Sequence, residues 1–338
     1  MPTVAEIITT TLRNRSTAIA DAVRTGSPFY AFLSKNDRVE YEGGGSEIIR
    51  AVEYANNATV AAYSGTDIID TTIQTVLDSS RWDWSFVAGT HAITDTDLLQ
   101  NSGPEQKINL MKAREKSLIK SFIQQLETFL FAAQRAAGSK APNPLSELID
   151  VDPTGNPAFG NVGKISTASS ANTWWRNRTV PLHVDTARAV GDGYSFADTG
   201  VLYMRTMFEK CSRASGVDAP KILVCTQELY SAYESKFPPH LQVKNISGGD
   251  LGGDGFSFKG APIMYSNSLT GGTGTTLNAM YFINTDYLTL ILHRDENMKV
   301  YPTQRPTNQK LFTTQVGWAG QLVCTNRIRQ GVIEGFQT

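Results

Sequence analysis

The pattern of hydrophobic and polar positions changes period several times along the chain, and each change marks an element. Residues 3–24 follow a helical period, with Val4, Ile7, Ile8, Leu12, Ile19, Ala22 and Val23 approximating one face and Arg13, Arg15 and Asp21 elsewhere. Nothing in the next stretch offers this helix an intramolecular helical partner, so it reads either as a docking arm or as a core helix. Residues 36–101 are strand-like instead. Extended runs occur at 47–54 (EIIRAVEY), 58–63 (ATVAAY) and 82–88 (WDWSFVA), and Asn56-Asn57 predicts a hairpin turn between the first two. Alternation in the third run places Trp82, Trp84 and Phe86 on one face, opposite Asp83, Ser85 and Val87. An isolated hairpin is marginal in water, so this ribbon must lie against its own core or another surface.

A helical period returns after Ser102-Gly103-Pro104-Glu105, whose S-x-x-E spacing is that of a capping box. It runs to Ala137 and stops at Gly138, through Ile108, Met111, Lys112, Glu115, Leu118, Ile119, Phe122, Leu126, Phe129 and Ala133, with Leu130 and Phe131 broadening the face. At ~1.5 Å per residue this is a spine of roughly 50 Å. Residues 140–194 are rich in Pro, Gly, Asn and Ser. A second amphipathic helix is predicted at 195–215, on Ala197, Val201, Met204, Phe208 and Cys211. A buried strand at 221–226 and a short helix at 227–237, ended by Pro238-Pro239, then signal an α/β layer. The remainder is β-rich: 256–265 and 279–293 flank a Gly/Thr loop at 271–276, and further strands are predicted at 297–301, 312–325 and 327–334. In the 312–325 run Val316, Trp318, Leu322 and Cys324 share a face. The fold class is α+β, with no internal repeat.

Composition narrows the functional classes. The chain has 338 residues, 41% hydrophobic and 19% charged, and a formal net charge of -1. That is enough apolar content for a core. The low charge suits a surface that neighbours cover, because interface centres are depleted in charge. The near-neutral balance argues against dedicated nucleic-acid binding, which needs a basic excess, but not against enclosing DNA. Cys211, Cys225 and Cys324 are scattered in apolar contexts and read as buried thiols, not as a metal site or a disulfide framework. No stretch has the ~20 apolar residues of a membrane span. The N-terminal pattern is not that of a signal peptide, since Arg13 and Arg15 interrupt it.

Chemistry is sparse. His91, His183, His240 and His293 are isolated, with His293 at the edge of an apolar strand. No G-x-S-x-G is present, and the Gly-rich segments at 43–45, 248–255 and 271–276 lack a phosphate loop's Lys-Ser/Thr and read as loop tips. Trp174-Trp175-Arg176 fits either an aromatic-plus-cation site or a buried pair whose arginine bonds loop carbonyls. Lys107, Lys112, Arg114, Lys116 and Lys120 outnumber Glu105 and Glu115, which describes a solvated helix face or one that meets acidic neighbours. No catalytic, cofactor-binding or metal-ligating residue is predicted, and the expectation is a chain that is not an enzyme.

The order of elements and several segments resemble the major capsid proteins of tailed bacteriophages, which have the HK97-like shell fold. The segments are 47–69 (EIIRAVEYANNATVAAYSGTDII), Gln100-Asn101-Ser102-Gly103, Trp174-Trp175-Arg176-Asn177, Phe258-Lys259-Gly260-Ala261-Pro262 and Met280-Tyr281-Phe282-Ile283-Asn284. The resemblance implies an N-terminal arm at 1–34 and an extended E-loop at 35–101 that crosses a neighbouring subunit. It also implies a peripheral domain from 102–140 and 302–338 with the spine helix, and an axial domain at 141–301. The implied function is self-assembly into pentamers and hexamers of an icosahedral head around double-stranded DNA, without sequence-specific binding. The implied partners are copies of the chain, a scaffolding protein, a portal and a decoration protein. The implied location is the virion, after assembly in the host cytoplasm. The alternatives are an encapsulin-type nanocompartment shell and an α+β hydrolase or carbohydrate-binding module. Some relatives carry an N-terminal scaffolding segment ahead of the arm, whereas this chain starts essentially at the arm, so a separate scaffolding protein is expected. Others crosslink through an E-loop lysine, but no lysine occurs from Asn36 to Gly103, so a non-crosslinked shell is expected.

Overall fold

The computed structural model describes residues 27–100, 110–132, 135, 139–154, 161–181, 194–214, 216–236, 256–269 and 278–337. The 3–24 helix, the Ser102/Glu105 capping box, Lys107, the Gly138 stop, the glycine-rich segment 248–255, the 271–276 loop, His183 and His240 lie outside them. In chain order the helices and strands begin with α1 Pro28–Lys35, β1 Val39–Glu42, β2 Ile48–Glu53, β3 Leu77–Trp82, β4 Ser85–Thr94, α2 Asp95–Gln100 and α3 Leu110–Phe131. Next come α4 Leu145–Leu148, β5 Asn161–Val162, β6 Ile165–Ser166, β7 Arg178–Pro181, β8 Tyr194–Ser195, α5 Val201–Cys211, β9 Ile222–Cys225 and α6 Gln227–Glu234. The chain closes with β10 Ser257–Phe258, β11 Ala261–Tyr265, β12 Asn278–Ile283, β13 Leu288–His293, β14 Lys299–Val300, β15 Leu311–Cys324 and β16 Gly331–Gln337.

Two sheets carry the core. In one, β1 pairs parallel with β13, β13 antiparallel with β15, and β15 with β14 and β4. The other has the order β10-β11-β9-β12-β16-β7, with β8 also on β16. Strands β9 and β12 are almost continuously apolar because both faces of this sheet are covered. Leu223, Cys225, Met280, Phe282 and Ile333 face Met204, Met207 and Phe208 of α5 and Leu229, Tyr230 and Tyr233 of α6. Ile222, Val224, Tyr281, Ile283 and Val332 face the larger core, which also takes in the first sheet and α3. The sheets exchange strands across the expected domain border: β13 belongs to the first, while β16, from the 302–338 segment, lies inside the second.

The spine lies on β4. Phe122, Leu126, Leu130 and Phe131 of α3 are buried, and Gly89 admits the helix so closely that a Cβ there would meet Leu118 at 3.0 Å and Phe122 at 3.1 Å. Helix α1, not predicted as a separate element, buries Phe29, Tyr30, Phe32 and Leu33, with the Phe29 ring 5.4 Å from that of Phe131. Residues 28–33 of the expected arm are therefore core.

Several local expectations are corrected. The sequence pattern carries the spine to Ala137, but α3 ends at Phe131: Ala132 and Arg135 are not helical, the Ala132 carbonyl accepting from Ser146 Oγ at 2.8 Å and Arg135 turning to Glu147. The hairpin partner of 47–54 is not 58–63 but β3, with Ile48 opposite Trp82 and Val52 opposite Asp78. A turn centred on Asn56-Asn57 would have set Gly65 opposite Ile48 and Ala61 opposite Val52, leaving nothing large to bury. Trp82, Trp84 and Phe86 do not form one face, because the strand breaks between β3 and β4: Trp82 is buried and Phe86 exposed. The 195–215 helix is a π-turn at Phe196–Gly200 followed by α5. The 327–334 strand begins only at Gly331, after a 3-10 turn at Arg327–Arg329 that turns the arginine inward.

Candidate assembly surface

Strands β2 and β3 form a two-stranded ribbon whose connecting loop, 54–76, contains no helix or strand. Most of the large hydrophobic side chains exposed among the described residues fall between Ile49 and Leu77: Ile49, Val60, Tyr63, Ile68, Ile69, Ile73 and Leu77. Ile68 is 98% and Ile73 94% exposed. The loop nevertheless has local turns. Asn57 Oδ1 accepts from Thr59 N at 2.9 Å, Asp67 Oδ2 from Ser64 N at 2.8 Å, and Asp70 Oδ1 from Thr72 N at 2.9 Å. The Thr72 hydrogen bonds hold the Asp70 carboxyl below its ordinary pKa. The tip is a shaped, apolar surface that no other described residue covers.

The root is held firmly. Trp82 and Ile48 are buried, and the Arg81 amide donates to the Gly163 carbonyl at 2.9 Å, tying the ribbon to the β5–β6 hairpin. Arg50 pairs with Glu40 at 2.6 Å and Glu42 at 2.8 Å on β1. Lys164 pairs with Glu47 at 2.6 Å and Asp83 at 3.0 Å. Tyr54 closes the far end: its amide donates to Val76 O at 3.0 Å and its hydroxyl to Thr75 O at 2.7 Å.

The Trp-Trp-Arg segment is structural. Trp175 is fully buried and donates its indole N–H to Val162 O at 2.8 Å. Arg176 donates to the loop carbonyls of Thr167, Ala168 and Ser169 at 2.7–3.2 Å. Trp174, half-buried, stacks 5.6 Å from Tyr54 and 5.5 Å from Trp175, so the pair braces the ribbon.

Beneath it lies a residue that the sequence reading passed over. Arg327 is fully buried, donating from Nε to Leu148 O at 2.7 Å, from Nη1 to Trp175 O at 3.1 Å and from Nη2 to Asn177 Oδ1 at 3.0 Å. Asn177 in turn donates to Asp150 O at 2.6 Å. Burial lowers the Arg327 pKa to about 10 and raises that of the Asp150 carboxyl to about 6, partly opposed by the nearby guanidinium. Arg135 makes a bidentate pair with Glu147 at 2.7 and 2.8 Å and fixes α4. Its sequence context, Thr325-Asn326-Arg327-Ile328-Arg329-Gln330, is polar and does not set it apart from Arg329.

The cysteines are buried and free, and burial pushes the Cys211 and Cys324 thiols up to about 12, which makes them poor nucleophiles. His293 Nδ1 accepts from Asp295 N at 3.2 Å, and its ring lies edge-on to Trp84 at 5.5 Å, a core-edge role. A cleft of about 910 Å³ between α5 and β11 pairs Lys259 with Glu209 at 3.0 Å and Lys221 with Asp286 at 2.6 Å, and Arg213 and Asp218 also line it. Among the described residues no group of three His, Cys, Asp or Glu side chains is placed to hold a metal ion, and no helix is long and apolar enough to cross a membrane.

No protein-family model matches the chain, and no curated protein matches it in sequence. Solved structures do match. The capsid asymmetric unit of cyanophage A-1(L) superimposes with a TM-score of 0.61 at 14% identity, covering 89% of this chain and 91% of that one. The capsid of a native GTA particle gives 0.57 at 9% identity, covering 90% of each chain. The holo-SrpI encapsulin complex from Synechococcus elongatus gives 0.52 at 12% identity, covering 91% and 89%. The chain has the HK97-like capsid fold, of mixed helix and strand.

Proposed function

We propose that this chain is a structural subunit, the major capsid protein of a tailed-phage head, with no catalytic role. Its copies assemble into pentamers and hexamers of a closed icosahedral shell that encloses double-stranded DNA. The observation that carries the reading is the combination of this fold with a firmly rooted ribbon whose apolar tip is exposed among the described residues. Burying five large side chains at the tip is worth roughly 1.5–3 kcal/mol each, enough to drive association through many equivalent contacts. The E-loop (35–101) would lie on a neighbouring copy. The peripheral domain would be built from 102–140 and 302–338, and the axial domain from 141–301, with β16 completing the axial sheet. Scaffolding and portal proteins, a decoration protein, assembly in the host cytoplasm and residence in the virion belong to the same reading.

A second reading, an encapsulin-type compartment, is favoured by the match to the encapsulin shell. Expression of the full chain, with and without its neighbouring genes, followed by negative-stain microscopy tests both. Uniform closed particles are expected, and a monomer under all conditions would overturn the proposal. Particles purified from the native source should contain DNA; protein cargo in its place would select the second reading. Because the ribbon has no lysine, subunits from mature particles should separate on denaturing, reducing gels. Covalent ladders there would refute a non-crosslinked shell.

A further inference from the structure

We infer that Lys164 is the positioning residue of the ribbon, fixing the direction in which the docking loop leaves the body before any neighbour arrives. The inference rests on the assembly reading but adds a part of the machinery outside the ribbon itself.

The turn of the β5–β6 hairpin is Gly163-Lys164, both at positive φ, 61° and 60°. This sharp turn brings the backbone against the ribbon. A Cβ at residue 163 would lie 2.9 Å from the Trp82 ring and 3.1 Å from Ser80, so only glycine fits beneath the indole. Gly163 O takes the Arg81 amide at 2.9 Å. The hairpin is itself anchored, with Val162 and Ile165 buried and Val162 O accepting the Trp175 indole N–H.

From that fixed point the Lys164 ammonium reaches both roots of the ribbon. Glu47, 2.6 Å away, immediately precedes β2, and Asp83, 3.0 Å away, immediately follows β3. One cation thus staples the two places where the ribbon joins the body, and the paired carboxylates raise the lysine pKa. An exposed ion pair contributes little to global stability. Its leverage here is orientational, because the root is only two strands wide and carries the long loop 54–76. Holding that loop in one direction lowers the ordering cost of docking.

Lys164→Gln in the full chain, with Lys164→Arg as the charge-retaining control, tests this in two measurements. The first is amide hydrogen exchange below the assembly threshold. Lys164→Gln should speed exchange of Arg81 and of the β2–β3 ladder several-fold, 0.5 M salt should do the same to the native chain, and Lys164→Arg should leave it unchanged. Unchanged exchange in Lys164→Gln overturns the inference whether or not shells form. The second is the concentration at which particles appear, expected to rise several-fold for Lys164→Gln and not for Lys164→Arg. Faster exchange with an unaltered threshold also overturns it. Should Lys164→Gln fold poorly, Glu47→Gln with Asp83→Asn removes the same staple from the other side and must give the same two shifts. If the native chain forms no particles at all, the assembly reading falls while the exchange data still decide whether Lys164 holds the ribbon.

Discussion

The junction around Arg327 and the tip of the ribbon are opposite solutions within one chain. At the junction a charged side chain is fully buried, and its Nε, Nη1 and Nη2 each donate to an oxygen of α4, the 170–175 turn or Asn177. At the tip, apolar side chains stand exposed, with no cover from the other described residues. Burying a charge is tolerable only with good hydrogen-bond geometry, so the junction is complete in itself. Leaving several isoleucines exposed is tolerable only if another molecule covers them. The contrast separates residues that build the subunit from residues that the proposed assembly would use, and substitutions in each should be read by different measurements.

The largest effect on subunit folding is expected at the junction. Arg327→Met keeps the length and removes the donors, stranding the carbonyls of Leu148 and Trp175. A loss of about 3–5 kcal/mol is expected, read as a lower midpoint in urea denaturation. A loss below about 1 kcal/mol would mean that the junction is not a keystone. Next is Trp174→Ala, which removes a half-buried ring between Tyr54 and Trp175. It should cost about 2 kcal/mol and, unlike Arg327→Met, should also loosen exchange at Tyr54. An effect confined to global stability would detach Trp174 from the ribbon.

A smaller effect separates the junction by pH. Asp150 has a folded pKa of about 6, above its ordinary value, because burial disfavours the carboxylate. A raised folded pKa means that the folded state binds the extra proton. The contribution is therefore full below the unfolded pKa near 4 and is lost as pH rises through about 6. Between pH 7 and pH 5 the native subunit should gain about 1 kcal/mol relative to Asp150→Asn. Parallel pH profiles for the two would show that Asp150 is not desolvated.

How much of this was legible in the sequence follows the same divide. Elements whose apolar period is buried by their own neighbours were readable: the spine at Leu118–Phe131, the continuous strand β9, and the Val316–Cys324 face of β15. The run 279–293 reads as one strand, whereas the structure divides it at 284–287 into β12 and β13. Resemblance supplied the overall plan, and the solved capsids match it in fold. Three things were not readable, each because it depends on a distant partner. The hairpin register is set by Trp82 finding Ile48 across the 54–76 loop. The inward turn of Arg327 exists because Leu148, Trp175 and Asn177, ~150–180 positions earlier in sequence, offer oxygens together. Nothing in the sequence singles out Lys164, because Glu47 and Asp83 reach it only through the fold. The exposed tip misled most directly. ATVAAY was read as a strand on local propensity, but a strand needs a ladder, and β2 spends its own on β3.

The smallest expected effect on folding is also the most telling. Ile68→Asp with Ile73→Asp changes two side chains that are 98% and 94% exposed. Surface substitutions of this kind leave stability within about 0.5 kcal/mol, so the urea midpoint and the exchange of the β2–β3 root should match the native chain. Particle formation should nevertheless fail, because each copy would bring two carboxylates into a contact that has to exclude water, and a buried unpaired charge costs far more than a lost methyl group contributes. The comparison with Arg327→Met is the decisive one. There, any loss of assembly follows a loss of subunit stability; here, a subunit of native stability does not associate. Normal particles from the double variant would show that the tip is not an interface. The exposed isoleucines would then need another cover, and the assembly surface would have to be sought elsewhere on the subunit.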